Sequence, residues 1–234
     1  MYRFRYLLTS LVLLIVIQPW VRGPVSRTLY LAVFSALVIS AVWSVRADRR
    51  IVVAEVLLAA LSLAGTWIGV LIEGLAFHLA SRTVTVAFMV LVMWALLRDI
   101  ARQTRVQPET IYQAACVYLI LGVVFAVAYS SISQLDPAAF SPLAAHGAPA
   151  LGPRTGTGAV DLHGWIYFSF VTLTTLGYGD VVAVAPAART LVILEALLGQ
   201  FFVAVLVGRL VGLLHVRPDS DRVDLGPQPP AKEP

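Results

Sequence analysis

Lysine is all but missing from this sequence: of 17 basic residues, only Lys232 is one. Charge of either sign is scarce. Charged residues fill 13% of the 234 positions, where a soluble domain carries about 25%. A chain this poor in charge cannot cover itself with polar surface, which argues against a soluble domain. The net charge of +4 comes from arginines gathered at the ends of apolar runs. That placement suits membrane topology and speaks against nucleic acid as a partner. Cysteine occurs once, as Cys116 inside an apolar run. One cysteine excludes a disulfide framework and a cysteine-rich metal site, and it reads as a small buried hydrophobe. HExxH and GxSxG are both missing, and His78, His146, His163 and His215 are scattered at loops and helix ends. A membrane enzyme therefore finds no support. A transporter would show broken helices in matching halves, and no such repeat is visible.

Hydrophobic residues, by contrast, make up 59% of the chain, and its mean hydropathy is +0.84. A helix needs about 20 apolar residues to cross a bilayer core. The apolar runs predict spans over 6–21, 28–45, 51–72, 83–97, 110–134 and 187–215, the first and fourth being short. The first run could pass for a signal peptide. Pro19-Trp20 stands where a small-residue cleavage site would be, so a retained span is preferred. Glu73-Gly74 breaks the pattern before the fourth run, and Arg98, Arg102 and Arg105 close that run at helical spacing. Residues 135–160 hold four prolines and several glycines and predict an irregular exposed loop. Asp161 is a candidate helix cap for a helix over 162–174. At about 1.5 Å per residue that helix reaches roughly 20 Å, too short to cross. It must be re-entrant, with the backbone after it lining a cavity or pore. Residues 217–234 are polar and proline-rich and read as a disordered tail, too short for a regulatory domain.

After the short helix comes Thr174-Thr175-Leu176-Gly177-Tyr178-Gly179-Asp180. Glycines alternating with side chains allow backbone conformations that turn successive carbonyls to one side. Rings of such carbonyls can replace the hydration shell of a potassium ion. The segment resembles the selectivity filter of the tetrameric potassium channel family, with Leu176 where the TVGYG pattern has valine. The match is specific because an aromatic half-helix precedes it and a long apolar helix follows. The resemblance implies an all-α membrane protein. Six transmembrane helices are expected, with a re-entrant pore helix and filter loop between the fifth and sixth. Residues 1–107 would form a four-helix region, 108–217 the pore domain and 218–234 the tail.

The resemblance also implies the site. Thr175, Leu176, Gly177 and Tyr178 would hold K⁺ through their carbonyls and the Thr175 hydroxyl, with Gly179 closing the outer end. Thr174 and Asp180 would support the filter. Family members steady that aspartate with a carboxylate or a tryptophan. Those positions here are Val171 and Tyr167, so only Tyr167 can donate, and a Tyr167–Asp180 bond is expected. Headgroup-level packing of Tyr167 is the plainer alternative. Gly199 matches the inner-helix hinge glycine, with close packing as the other reading. Glu195 is an intramembrane acid that should have a partner, unnameable from sequence. One filter per chain implies a homotetramer. K⁺ is the permeant ion and no cofactor is expected.

Arginine placement gives orientation. With both termini cytoplasmic, twelve basic residues lie inside and five (Arg22, Arg27, Arg82, Arg154 and Arg189) outside, as the positive-inside rule asks. That arrangement suits a multi-pass protein of the cell (plasma or inner) membrane, and the arginine-rich composition suits a bacterial source. The expected function is passive potassium conduction. A voltage-gated channel would carry arginines every third residue in its fourth span, yet no charge lies between Arg82 and Arg98. A less selective cation channel stays open because of Leu176.

Overall fold

A computed structural model describes residues 3–17, 24–45, 49–69, 71–72, 74–103, 108–142 and 162–215. The Pro19-Trp20 break, Glu73, the Asp161 cap, most of the proline-rich loop and the tail lie outside these residues. So do Arg22, Arg46, Arg105, Arg154, Arg217, Arg222 and Lys232, seven of the basic residues behind the orientation.

Among the described residues, seven helices and one strand pair follow in chain order. They are α1 (Arg3–Ile17), α2 (Pro24–Ser44), α3 (Arg49–Ile68), α4 (Leu75–Arg102), α5 (Pro108–Leu135), β1 (Phe140–Pro142), α6 (Leu162–Leu173), β2 (Val181–Ala183) and α7 (Pro186–His215). Proline opens α2, α5 and α7, where its missing N–H has no intrahelical partner to lose and its φ is already helical. Among the described residues four helices, α3, α4, α5 and α7, are long and apolar enough to cross a bilayer. The apolar part of α2, Thr28–Ser44, is shorter. So is α1 at 15 residues, about 22 Å of rise. The chain is thus a multi-pass, all-helical membrane protein apart from the strand pair.

Two departures from the expected layout have physical causes. The fourth span was expected over 83–97, yet α4 runs unbroken through His78 and Arg82 to Arg102. Arg82 does not end the helix because its Nη1 donates to Ser130 Oγ of α5 at 3.3 Å. The loop after α5 is not wholly irregular either. Phe140–Pro142 pairs antiparallel with Val181–Ala183 in the register Phe140↔Ala183, and the Ala139 carbonyl accepts from Val184 at 2.8 Å.

Packing falls into two connected cores. The first joins α1 through α5 around Leu11, Leu37, Ala59, Phe88 and Val117, and Cys116 is fully buried there. Hydroxyl pairs stitch its helices: Ser10 to Ser40 at 3.1 Å and Ser62 to Thr85 at 2.7 Å. Helices in lipid gain little from apolar contact alone, so such pairs hold them in register. At one end of α4, Gln113 Nε2 donates to Asp99 Oδ2 at 2.6 Å and Gln103 Nε2 to Gln113 Oε1 at 2.8 Å. This knot ties α4 to α5, the outer wall of the second core. That core packs Trp165 and Phe168 of α6 against Phe125 and Tyr129 of α5 and Phe140 of β1. Its rings meet edge to face, at 4.7 Å for Phe140–Trp165 and 5.1 Å for Tyr129–Phe168, a geometry the ring quadrupoles favour.

Candidate functional site

Helix α6 stops at Leu173 after 12 residues, and the chain after it stays tied to the helix's last turn. Thr174 N–H donates to the Phe170 carbonyl at 3.0 Å and Thr175 N–H to Thr172 at 2.9 Å. The Val171 carbonyl accepts twice, from Leu176 at 2.9 Å and Gly177 at 3.2 Å. The Thr174 hydroxyl adds a bond to the Phe170 carbonyl at 2.6 Å. The orphan carbonyls of a helix C-terminus are satisfied in this way.

Beyond this anchor the backbone alternates in hand. Thr175, Gly177 and Gly179 have φ of 58°, 54° and 75°, while Leu176 and Tyr178 between them do not enter positive φ. Glycine takes that region freely. Thr175 does not: a β-branched residue there is a genuine outlier, held at a cost of order 1–3 kcal/mol by its surroundings. Part of that hold is visible, since Gln200 Nε2 of α7 donates to Thr175 Oγ1 at 3.3 Å. A ribbon alternating in hand can present successive carbonyls on one side.

The far end of the segment is framed by aromatic and acidic groups. The ring of Tyr167 lies 6.5 Å from that of Tyr178 and nearly parallel, at 9°. The Tyr167 phenol lies beside the Asp180 carboxylate, and Asp180 Oδ1 accepts from Val181 N–H at 3.1 Å. The two residues of the expected Tyr167–Asp180 pair are thus neighbours. Strand β2 continues from Asp180 and is pinned by β1 on one side and by Arg189 Nε, which donates to the Ala183 carbonyl at 3.1 Å, on the other.

Behind α6 sits Glu195, fully buried. Its Oε2 accepts from the Tyr129 hydroxyl of α5 at 2.5 Å, and its Oε1 is hydrogen-bonded with Ser169 Oγ of α6. Ser169 Oγ also lies 2.7 Å from the Gly122 carbonyl of α5. One carboxyl thereby links α5, α6 and α7. Gly199, one turn further along α7, faces the end of α6. A Cβ built there would stand 2.5 Å from the Leu173 carbonyl, so close packing is a demonstrated demand on this glycine. That carbonyl is also reached by the Tyr118 hydroxyl at 3.4 Å.

Of the residues expected from sequence, Thr174 to Asp180 form one continuous segment, and Tyr167 and Gly199 both touch its supports. Sequence reasoning missed Gln200, Ser169 and Tyr129. Gln200 offered a signal, being an amide inside an apolar helix beside Gly199. Ser169 and Tyr129 offered none, since only the folded chain brings them to Glu195. Among the described residues no cluster of histidine, cysteine and carboxylate side chains could hold a metal ion.

Neither the curated proteins nor the solved structures contain a match to this chain. A family model described as ion channel matches residues 66–215. That stretch runs from the end of α3 to the end of α7 and takes in the whole site and more than half of the 234 residues. The chain belongs to the ion channel family.

Proposed function

We propose that the chain is one subunit of a homotetrameric potassium channel that passes K⁺ down its gradient. The observation that carries this reading is the alternation of hand at Thr175, Gly177 and Gly179, immediately after a helix too short to cross. Four such segments around an axis would stack carbonyl rings from Thr175, Leu176, Gly177 and Tyr178. The innermost site would be completed by the Thr175 hydroxyl, and such rings replace potassium hydration. The negative end of the α6 dipole would add to the attraction for a cation. In this reading α1 and α2 complete six spans, and both termini face the cytoplasm. Residues 1–107 serve as a collar to the pore domain over 108–217, with 218–234 as tail.

Exposure in the single chain supports the assembly. Leu176 and Tyr178 are 56% and 66% exposed, and α7 presents Ile193, Leu197, Phe201 and Val205 without cover. A lone subunit leaves both the filter and the inner helix bare, whereas a ring of four covers them with each other.

Reconstitution in liposomes with a potassium gradient and a valinomycin control tests this. Potassium flux well above sodium flux is expected, with block by a pore-size cation. Equal permeability to the two ions would favour the less selective cation channel that Leu176 leaves open. No current with turnover of a substrate would sink the channel reading.

A further inference from the structure

The contacts around Glu195 can be counted in protons. Three short oxygen–oxygen contacts meet there: Tyr129 to Oε2, Ser169 to Oε1, and Ser169 to the Gly122 carbonyl. Each needs one hydrogen, since two oxygens at this range without one repel. A carbonyl and an ionised carboxylate can only accept, and serine has a single hydroxyl proton. Tyr129 supplies the first hydrogen. Ser169 can supply the second or the third but not both. An ionised Glu195 leaves one contact empty. A neutral Glu195 fills all three: Oε1–H donates to Ser169 Oγ, Ser169 donates to Gly122, and Tyr129 donates to Oε2.

We propose that Glu195 carries its proton, and that the resulting Glu195–Ser169–Gly122 chain is a latch fastening the inner helix and the pore helix to the outer helix. The surroundings agree. The titratable groups facing Glu195 among the described residues are Tyr129 and Tyr118, both from α5. Among the described residues, helix α6 brings only the Ser169 hydroxyl, and no cationic side chain contributes to the electrostatic surroundings of Glu195. With no cation to neutralise it, a buried anion would be costly.

A consequence for the pore follows, and it rests on the channel reading above. Ser169 lies four residues before Leu173, whose carbonyl touches Gly199 and precedes the filter. Loss of the Glu195 proton leaves one contact of the latch repulsive. The latch is intact at low pH and lost as pH rises through the ionisation of Glu195, so conduction falls towards alkaline pH.

Glu195→Gln separates the alternatives, because its amide N–H donates to Ser169 at every pH. Two measurements are needed on the full chain in lipid. The infrared difference between wild type and E195Q at neutral pH should contain the carbonyl band of a protonated carboxylic acid, and Ser169→Ala should move that band. This arm needs no current and works even in a protein that conducts no potassium. Absence of the acid band, with a carboxylate band in its place, overturns the proposal. In the flux arm, wild type should lose conduction by about tenfold or more through the alkaline limb, one decade corresponding to about 1.4 kcal/mol. E195Q should stay flat. An E195Q profile with the same alkaline loss as wild type overturns the latch as the source of pH response.

Discussion

Thr175 occupies a conformation that its side chain resists, and its two neighbours in hand, Gly177 and Gly179, occupy it because they have no side chain. At Gly177 no atom lies within 4 Å of a built Cβ, so within one chain the demand for glycine is purely one of backbone conformation. An alanine there costs about 1–2 kcal/mol, and four copies in a ring make it about 4–8 kcal/mol. That is enough to empty a conducting state, so Gly177→Ala is predicted to abolish flux while the chain still folds. Wild-type flux from this variant would show that the alternation is not the ion path. Gln200 poses a milder case. Gln200→Leu removes one neutral hydrogen bond to Thr175, about 0.5–1.5 kcal/mol, and single-channel recording should find shorter openings with unchanged assembly. Tyr167→Phe keeps the ring stacked on Tyr178 and removes only the hydroxyl that would bond Asp180. A bond to a charged group contributes about 1.5–3 kcal/mol, so inactivation should speed up by about tenfold or more. Unchanged open probability and inactivation in both Tyr167→Phe and Asp180→Asn would assign Tyr167 to packing alone.

Among the elements, α6 and α7 meet most closely where Gly199 lies against the Leu173 carbonyl. Gly199→Ala must push α6 or α7 aside, because the obstacle is backbone and cannot rotate away. The variant is predicted to melt at lower temperature and to conduct poorly, read by thermal unfolding in detergent and by flux. The hinge reading instead expects normal stability with altered gating. The same region marks where sequence reading stops. The helices and the segment of alternating hand were legible because each is written locally, in apolar runs, in helix-opening prolines and in glycines spaced by one residue. Contacts across the chain were not. Glu195 finds Tyr129 at a separation of 66 residues and Ser169 at 26, and nothing in either neighbourhood announces the other. Strand β1 was hidden because three residues ending in Pro142 look like a loop until Val181–Ala183 is laid beside them. Arg82 looked like the end of a span because its partner, Ser130, lies 48 residues away.

At the scale of the whole molecule, α1 and α4 pack directly against α5, and the Asp99–Gln113 knot ties α4 to it. Each elementary charge that crosses the field contributes about 2.3 kcal/mol per 100 mV, and steep voltage gating uses three or four per subunit. Helix α4 has no charge between Arg82 and Arg98, and Arg82 is held by Ser130. Weak voltage dependence is predicted, and gating currents equivalent to about ten charges per channel would contradict it. The proposed assembly predicts a four-chain mass in native lipid. Cys116 supplies a way to see its symmetry. The only thiol of the chain is sealed in the core, out of reach of a maleimide or nitroxide reagent, so the natural protein is already a silent background for site-directed labelling. A reporter on Ala138→Cys, in the exposed turn after α5, would then be the sole spectroscopic signal. Four-fold copies of that reporter return two separations, the side and the diagonal of a square, where a pair of chains returns one.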